Sequence, residues 1–175
     1  SNRIGEGVVS RIAAFGAQLH GNARQTLELL KNCYLTCKKG QKISVELVAE
    51  TYEKMEHDVF TEGVARLPAH QKIMLLGIFE VYEKEKGEIT TAEAFDKYAK
   101  LCQAVKKSPV GLRRVQQIIK ELSSAGIIDA AKPAGFHKEQ TISVTCPQET
   151  FKKVHQSLKS TYLPPYGYTP KTEEG

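Results

Sequence analysis

The sequence predicts a mainly α-helical chain in two parts, the second a helix-turn-helix followed by a β-hairpin. Three observations predict this. Apolar residues recur at helical spacing, first at Ile4, Val8, Ile12, Phe15 and Leu19. A break at Leu67-Pro68 divides the chain, because the residue before a proline is pushed out of the helical region. After Gly126 the period changes to two, and Thr141-Ile142-Ser143-Val144 alternates like a half-buried strand.

In the first part, His20-Gly21-Asn22 ends the opening helix, and Asn22 can cap the next. That second helix is expected from about Ala23 to Cys37, with Leu27, Leu30 and Tyr34 along its buried face. Lys38-Lys39-Gly40 closes it: basic residues complement the helix dipole, and glycine supplies a left-handed exit. Ser44 caps a longer third helix whose stripe is Val45, Val48, Tyr52, Met55 and Val59.

The second part opens with a helix from about Pro68 to Lys86, centred on Ile73-Met74-Leu75-Leu76 and ended by Gly87. Glu88-Ile89-Thr90 can form a short strand, and Thr90 and Glu93 have the spacing of a capping box. The helix that follows carries Phe95, Tyr98, Cys102 and Val105. Only Lys106-Lys107 then precedes Ser108-Pro109, read as a cap and a first-turn proline opening the next helix. Two helices joined so closely make a helix-turn-helix. Val115, Ile118, Ile119 and Leu122 are its buried stripe and Gly126 its stop. Ile127 to Lys132, a turn at Pro133-Ala134-Gly135 and the strand at Thr141 form a hairpin, the wing of a winged helix. A last helix from about Pro147 to Ser160 packs back on it, and the Pro-, Gly- and Tyr-rich stretch from Tyr162 to Gly175 is expected to be disordered. The expected domains are therefore 1–66 and 67–160, with a flexible tail at 161–175.

With 175 residues, 41% of them hydrophobic, the chain can bury a real core. Its longest apolar run, Ile73 to Phe79, is far too short for a transmembrane helix, so no membrane partner is expected. Cys33, Cys37, Cys102 and Cys146 match neither a secreted disulfide framework nor paired CxxC motifs, which suits a reduced, intracellular protein. Cys33 and Cys37 lie one helical turn apart without further ligands nearby, so they read as core thiols rather than a metal site. No GxSxG, HExxH or Walker loop is present, so the chain itself is expected to be no enzyme and to carry no cofactor.

The net charge is +5, unevenly placed: residues 106–159 hold 10 Lys/Arg against 4 Asp/Glu, whereas residues 1–66 hold 9 against 8. The basic excess surrounds the helix-turn-helix and suits an anionic partner. The polar face of the second helix carries Arg113, Arg114, Gln116, Gln117 and Lys120, side chains that reach phosphates and base edges. In the wing, Lys132, His137 and Lys138 can contact backbone or minor groove. The candidate DNA-binding residues are Arg113, Arg114, Gln117, Lys120, Lys132, His137 and Lys138. The same module also docks proteins in other settings, so protein interaction stands as an alternative, and transcriptional regulation as a second.

Three segments together resemble one family. His20-Gly21-Asn22-Ala23-Arg24-Gln25-Thr26-Leu27-Glu28-Leu29-Leu30 resembles the G-D-A-R-x-x-L-x-L-L motif of the AAA+ helical lid in replication initiators related to origin recognition complex subunit one and cell division cycle six. Leu67-Pro68-Ala69-His70-Gln71-Lys72 is similar to the start of their winged-helix domain. Ile89-Thr90-Thr91, Arg113-Arg114-Val115 and Leu122 through Ile128 resemble its archaeal form.

The resemblance implies an AAA+ lid followed by a winged-helix domain, the C-terminal part of an ATP-dependent initiator and helicase loader. Arg24 would be the sensor-two arginine, reaching the phosphates of ATP or ADP with magnesium held by an upstream ATPase core. Asn22 stands where the family has Asp, and caps a helix as well. Implied partners are double-stranded origin DNA, other initiator subunits and an MCM-type replicative helicase. The implied location is DNA-associated, in the nucleus of a eukaryote or the cytoplasm and nucleoid of an archaeon. Glu139 makes the wing less basic than in many archaeal members.

Overall fold

The computed structural model describes residues 3–18, 23–131 and 140–163. The chain divides into two compact units, one up to Val59 and one from Phe60. The division falls inside a helix, ahead of the Leu67-Pro68 break.

The first unit contains α1 (Val8–Gln18), α2 (Ala23–Thr36) and most of α3 (Val45–Ala65). Its core is Val8, Ile12, Phe15, Leu29, Cys33, Ile43, Val48 and Tyr52, with Phe15 and Tyr52 stacked at 4.0 Å. Ser44 caps α3, its hydroxyl accepting from the Leu47 amide. Three expectations need correction. The first helix starts at Val8, not near Ile4, because Ile4 forms a parallel bridge with Ile43. Gly5 permits that approach: a Cβ there would stand 2.6 Å from the Ile43 carbonyl oxygen. The buried face of α2 is Leu29 and Cys33, while Leu27 and Tyr34 are 66% and 53% exposed. Leu30, half-buried, packs against this core as expected, so tertiary packing rotates the buried face toward Leu29 and Cys33 and leaves Leu27 and Tyr34 outside. Val59 is likewise exposed, not part of the α3 core stripe. The expected break at His20-Gly21-Asn22, together with Leu19, lies outside the described residues.

The second unit is built around α4 (Ala69–Glu85), buried without interruption from Ile73 to Phe79. A helix apolar on all sides belongs at the centre of a fold. Packed on it are α5 (Thr91–Ala104), α6 (Leu112–Ser124) and α7 (Gln148–Tyr162). Three short strands, β1 (Ile89–Thr90), β2 (Asp129–Ala131) and β3 (Thr141–Ser143), form an antiparallel sheet in the order β1-β3-β2. Ile142 pairs with both Ile89 and Ala130 and points into the core. This is a winged helix. The capping box forms as expected: the Thr90 hydroxyl accepts from the Glu93 amide, and the Glu93 carboxylate accepts from the Thr90 amide at 2.8 Å. The left-handed exit from α4 falls on Lys86, at φ 50°, rather than on Gly87.

The largest correction concerns the turn before α6. The helix begins at Leu112 with Gly111 as its cap, not at Ser108-Pro109. Lys106 is left-handed (φ 55°), and the Lys107 amide reaches back to the Cys102 carbonyl, which closes α5. The Val110 amide then donates to the hydroxyl of Tyr98 at 3.1 Å, outside any helical ladder. That hydroxyl also lies 2.7 Å from His70 Nδ1, and Tyr98 is fully buried. Tyr98→Phe removes the acceptor and leaves the Val110 amide unpaired, so the second unit loses about 1–3 kcal/mol in a urea unfolding titration. A change within the few tenths usual for a surface position would mean that Tyr98 does not hold the turn.

Candidate nucleic-acid interface

The buried stripe of α6 is Val115, Ile118, Ile119 and Leu122. The opposite stripe is Arg113, Gln116, Gln117 and Lys120, at the same i, i+3, i+4, i+7 spacing, and all four are exposed. Among the described residues, Arg113 and Lys120 make no ion pair. Both arginines fall in the first turn of α6, where there is no acidic residue. Cations in the first turn oppose the helix dipole, so this end of α6 concentrates positive potential. Leu112, at the edge of the stripe, is 52% exposed.

Arg114 differs from Arg113. Its Nη1 donates to Glu121 Oε1 at 2.9 Å, two turns along the same side of the helix. The other oxygen of Glu121 accepts from Nε2 of Gln71, a buried residue of α4. Glu121 was not expected to matter; an acid seven residues after an arginine in a helix is the pattern that reveals it.

The structure thus brings Arg113, Gln117 and Lys120 onto one face and places Arg114 in an ion pair at its edge. Lys132, His137 and Lys138 lie outside the described residues, as does Glu139; β2 and β3, which lead into that segment, are in place. Arg24 belongs to the first unit, exposed on the first turn of α2. Cys33 and Cys37 are both free: Cys33 is buried, and burial pushes its pKa up, whereas Cys37 is only half-buried and donates to the Gln41 carbonyl oxygen at 3.4 Å.

A second polar cluster joins α4 to α7. The His155 ring stands 3.1 Å from Glu80 Oε1, and Lys159 Nζ lies 3.0 Å from the same oxygen and 3.1 Å from Glu83 Oε2. Glu80, Glu83 and His155 could offer three metal ligands, but the Lys159 ammonium already supplies the cation between the two carboxylates. Burial pushes the Glu80 carboxyl up, yet hydrogen bonds from Lys159 and His155 outweigh it and hold it below the usual carboxylate range. Burial pushes His155 down, and the neighbouring Lys159 charge adds to this against the pull of Glu80 and Glu83. His155 is therefore neutral in the fold at pH 7. A depressed histidine contributes stability above its unfolded pKa of about 6.5 that is lost as pH falls through that value toward the folded one. The urea midpoint of the second unit accordingly drops between pH 7 and pH 5, and the His155 ring titrates below 6.5 by NMR. A ring midpoint at or above 6.5 would contradict this.

Residues 62–154 match the family described as CDC6, C-terminal winged helix domain. The chain belongs to this family. The CDC6-type match runs from the last turn of α3 to the middle of α7, so the α6 face lies inside it. Among curated relatives, the chain is 30% identical over 159 residues to ORC1-type DNA replication protein 2 of Thermoplasma acidophilum, covering 86% of this chain and 39% of that protein. It is 35% identical over 127 residues to ORC1-type DNA replication protein 1 of Archaeoglobus fulgidus, covering 71% and 31%. The chain therefore spans about two fifths or less of the length of these relatives. The Aeropyrum pernix ORC1 protein, solved in complex with DNA, superimposes with a TM-score of 0.75 at 26% identity, over 90% of this chain and 42% of that one.

Proposed function

We propose that this chain is the DNA-engaging C-terminal part of a replication initiator, with α6 lying in the major groove of duplex origin DNA. The observation that carries the reading is the exposed stripe of Arg113, Gln116, Gln117 and Lys120 on a helix whose first turn is cationic. Arg and Lys neutralise phosphates and grip guanine, and Gln suits adenine. Leu112 suits a thymine methyl at the edge of the stripe. The likeness to an ORC1 protein solved with DNA supports the same reading.

The longer protein would be an ATP-gated AAA+ initiator that works with other initiator subunits to load a replicative helicase. ATP or ADP with magnesium would be held mainly by residues upstream of this chain. Arg24 fits a contribution to it: exposed on the first turn of α2, it presents a guanidinium that pairs well with phosphate. Nucleotide would supply the energy and timing of loading. A protein partner is favoured separately for the first unit, where Leu27, Tyr34 and Leu35 are exposed on α2.

The test of the DNA reading is an NMR titration with a short duplex. Amide shifts are expected to concentrate between Leu112 and Lys120 and in the wing. Shifts confined to α7, or none at low salt, would remove α6 from the interface.

A further inference from the structure

Glu121 is an acid beside a face proposed to meet a polyanion, and on charge alone it should weaken that contact. Its two oxygens are used in opposite directions. Oε2 accepts from Gln71, anchored in the core on α4, and Oε1 accepts from Arg114, half exposed at the surface. At about 100° per residue, Arg114 and Glu121 sit along one edge of the stripe formed by Arg113, Gln116, Gln117 and Lys120. The chain of contacts therefore runs from the core, through a carboxylate, to one guanidinium at that edge.

We infer that Glu121 is a positioning residue that presets Arg114 for reading a base edge, while Arg113 serves the phosphate backbone; this rests on the DNA reading above. Glu121 engages one of the five donors of Arg114, and the rest of the fork is available to a guanine. A guanidinium already fixed in direction loses less side-chain freedom on binding than a mobile one. The ion pair also neutralises Glu121, so the acid does not repel the neighbouring phosphates. Arg113, with no ion-pair partner among the described residues, keeps the freedom suited to a contact that tolerates any sequence.

The experiment compares the wild-type chain, Glu121→Gln, Arg114→Ala and the double variant. Each is equilibrated with a pool of short random-sequence duplexes, and the bound fraction is sequenced. The readout is the ratio of affinity for the best duplexes to affinity for the pool average. Glu121→Gln is expected to lower that ratio about tenfold, with pool affinity equal or higher because a negative charge has gone. In the Arg114→Ala background the same change should cost nothing further. The thermal midpoint of Glu121→Gln reports that the fold is intact, and Gln71→Met, which removes only the core anchor of the carboxylate, should move the ratio the same way. Unchanged discrimination, a loss that persists without Arg114, or a wild-type chain that binds duplex without preference would each overturn the assignment and leave the DNA reading standing. A wild-type chain that retains no duplex at all would overturn both.

Discussion

Phe79→Ala lowers the unfolding free energy of the second unit by about 3–5 kcal/mol. Phe79 is fully buried on the central helix α4. Its ring packs 4.9 Å from that of Phe151 at 57° and 5.8 Å from His155 edge-on, so it joins α4 to α7. Truncation removes the transfer free energy of the ring, leaves a cavity, and forfeits the aromatic contact, itself about 0.5–1.5 kcal/mol. Domains of this size have roughly 5–15 kcal/mol in all, so the loss is a large fraction of the whole. Urea unfolding followed by circular dichroism measures it. A loss below about 1 kcal/mol would mean that α7 does not pack on α4 as described.

Arg113→Ala together with Lys120→Ala weakens binding to duplex DNA by roughly tenfold to a hundredfold at low salt. Both side chains are exposed, without ion-pair partners among the described residues, and on the same face of α6. Their removal therefore leaves the core untouched, and the thermal midpoint should stay near the wild-type value. Loss of Arg113 even relieves an unfavourable charge in the first turn. Fluorescence anisotropy with a labelled duplex reads the affinity. Wild-type affinity in the double variant would show that neither residue meets phosphate.

Much of the second unit was legible because local and tertiary preferences agree there. The capping box of Thr90 and Glu93 depends only on a spacing of three residues. The stripe of Val115, Ile118, Ile119 and Leu122 defines a buried face and, by the same geometry, the exposed one opposite. Elsewhere two local solutions compete. In α2, Leu27-Leu30-Tyr34 and Leu29-Cys33 both satisfy helical spacing, and only packing in the core of the first unit centres the buried face on Leu29 and Cys33 with Leu30 at its edge. Ser108-Pro109 has good opening chemistry, but Tyr98, distant in sequence, captures the Val110 amide and delays the helix to Leu112. The links of Glu80 to His155 and of Gln71 to Glu121 join residues 75 and 50 positions apart, which no periodicity reports.

The claim that the solvent face of α6 neutralises DNA phosphates is tested most directly by salt dependence. The measurement is the slope of log affinity against log salt concentration, for the wild-type chain and for the Arg113→Ala, Lys120→Ala double variant. Each neutralised phosphate contributes about −0.9 to the slope on duplex DNA, so the double substitution should make it shallower by nearly two. The same slope in both proteins would contradict the account.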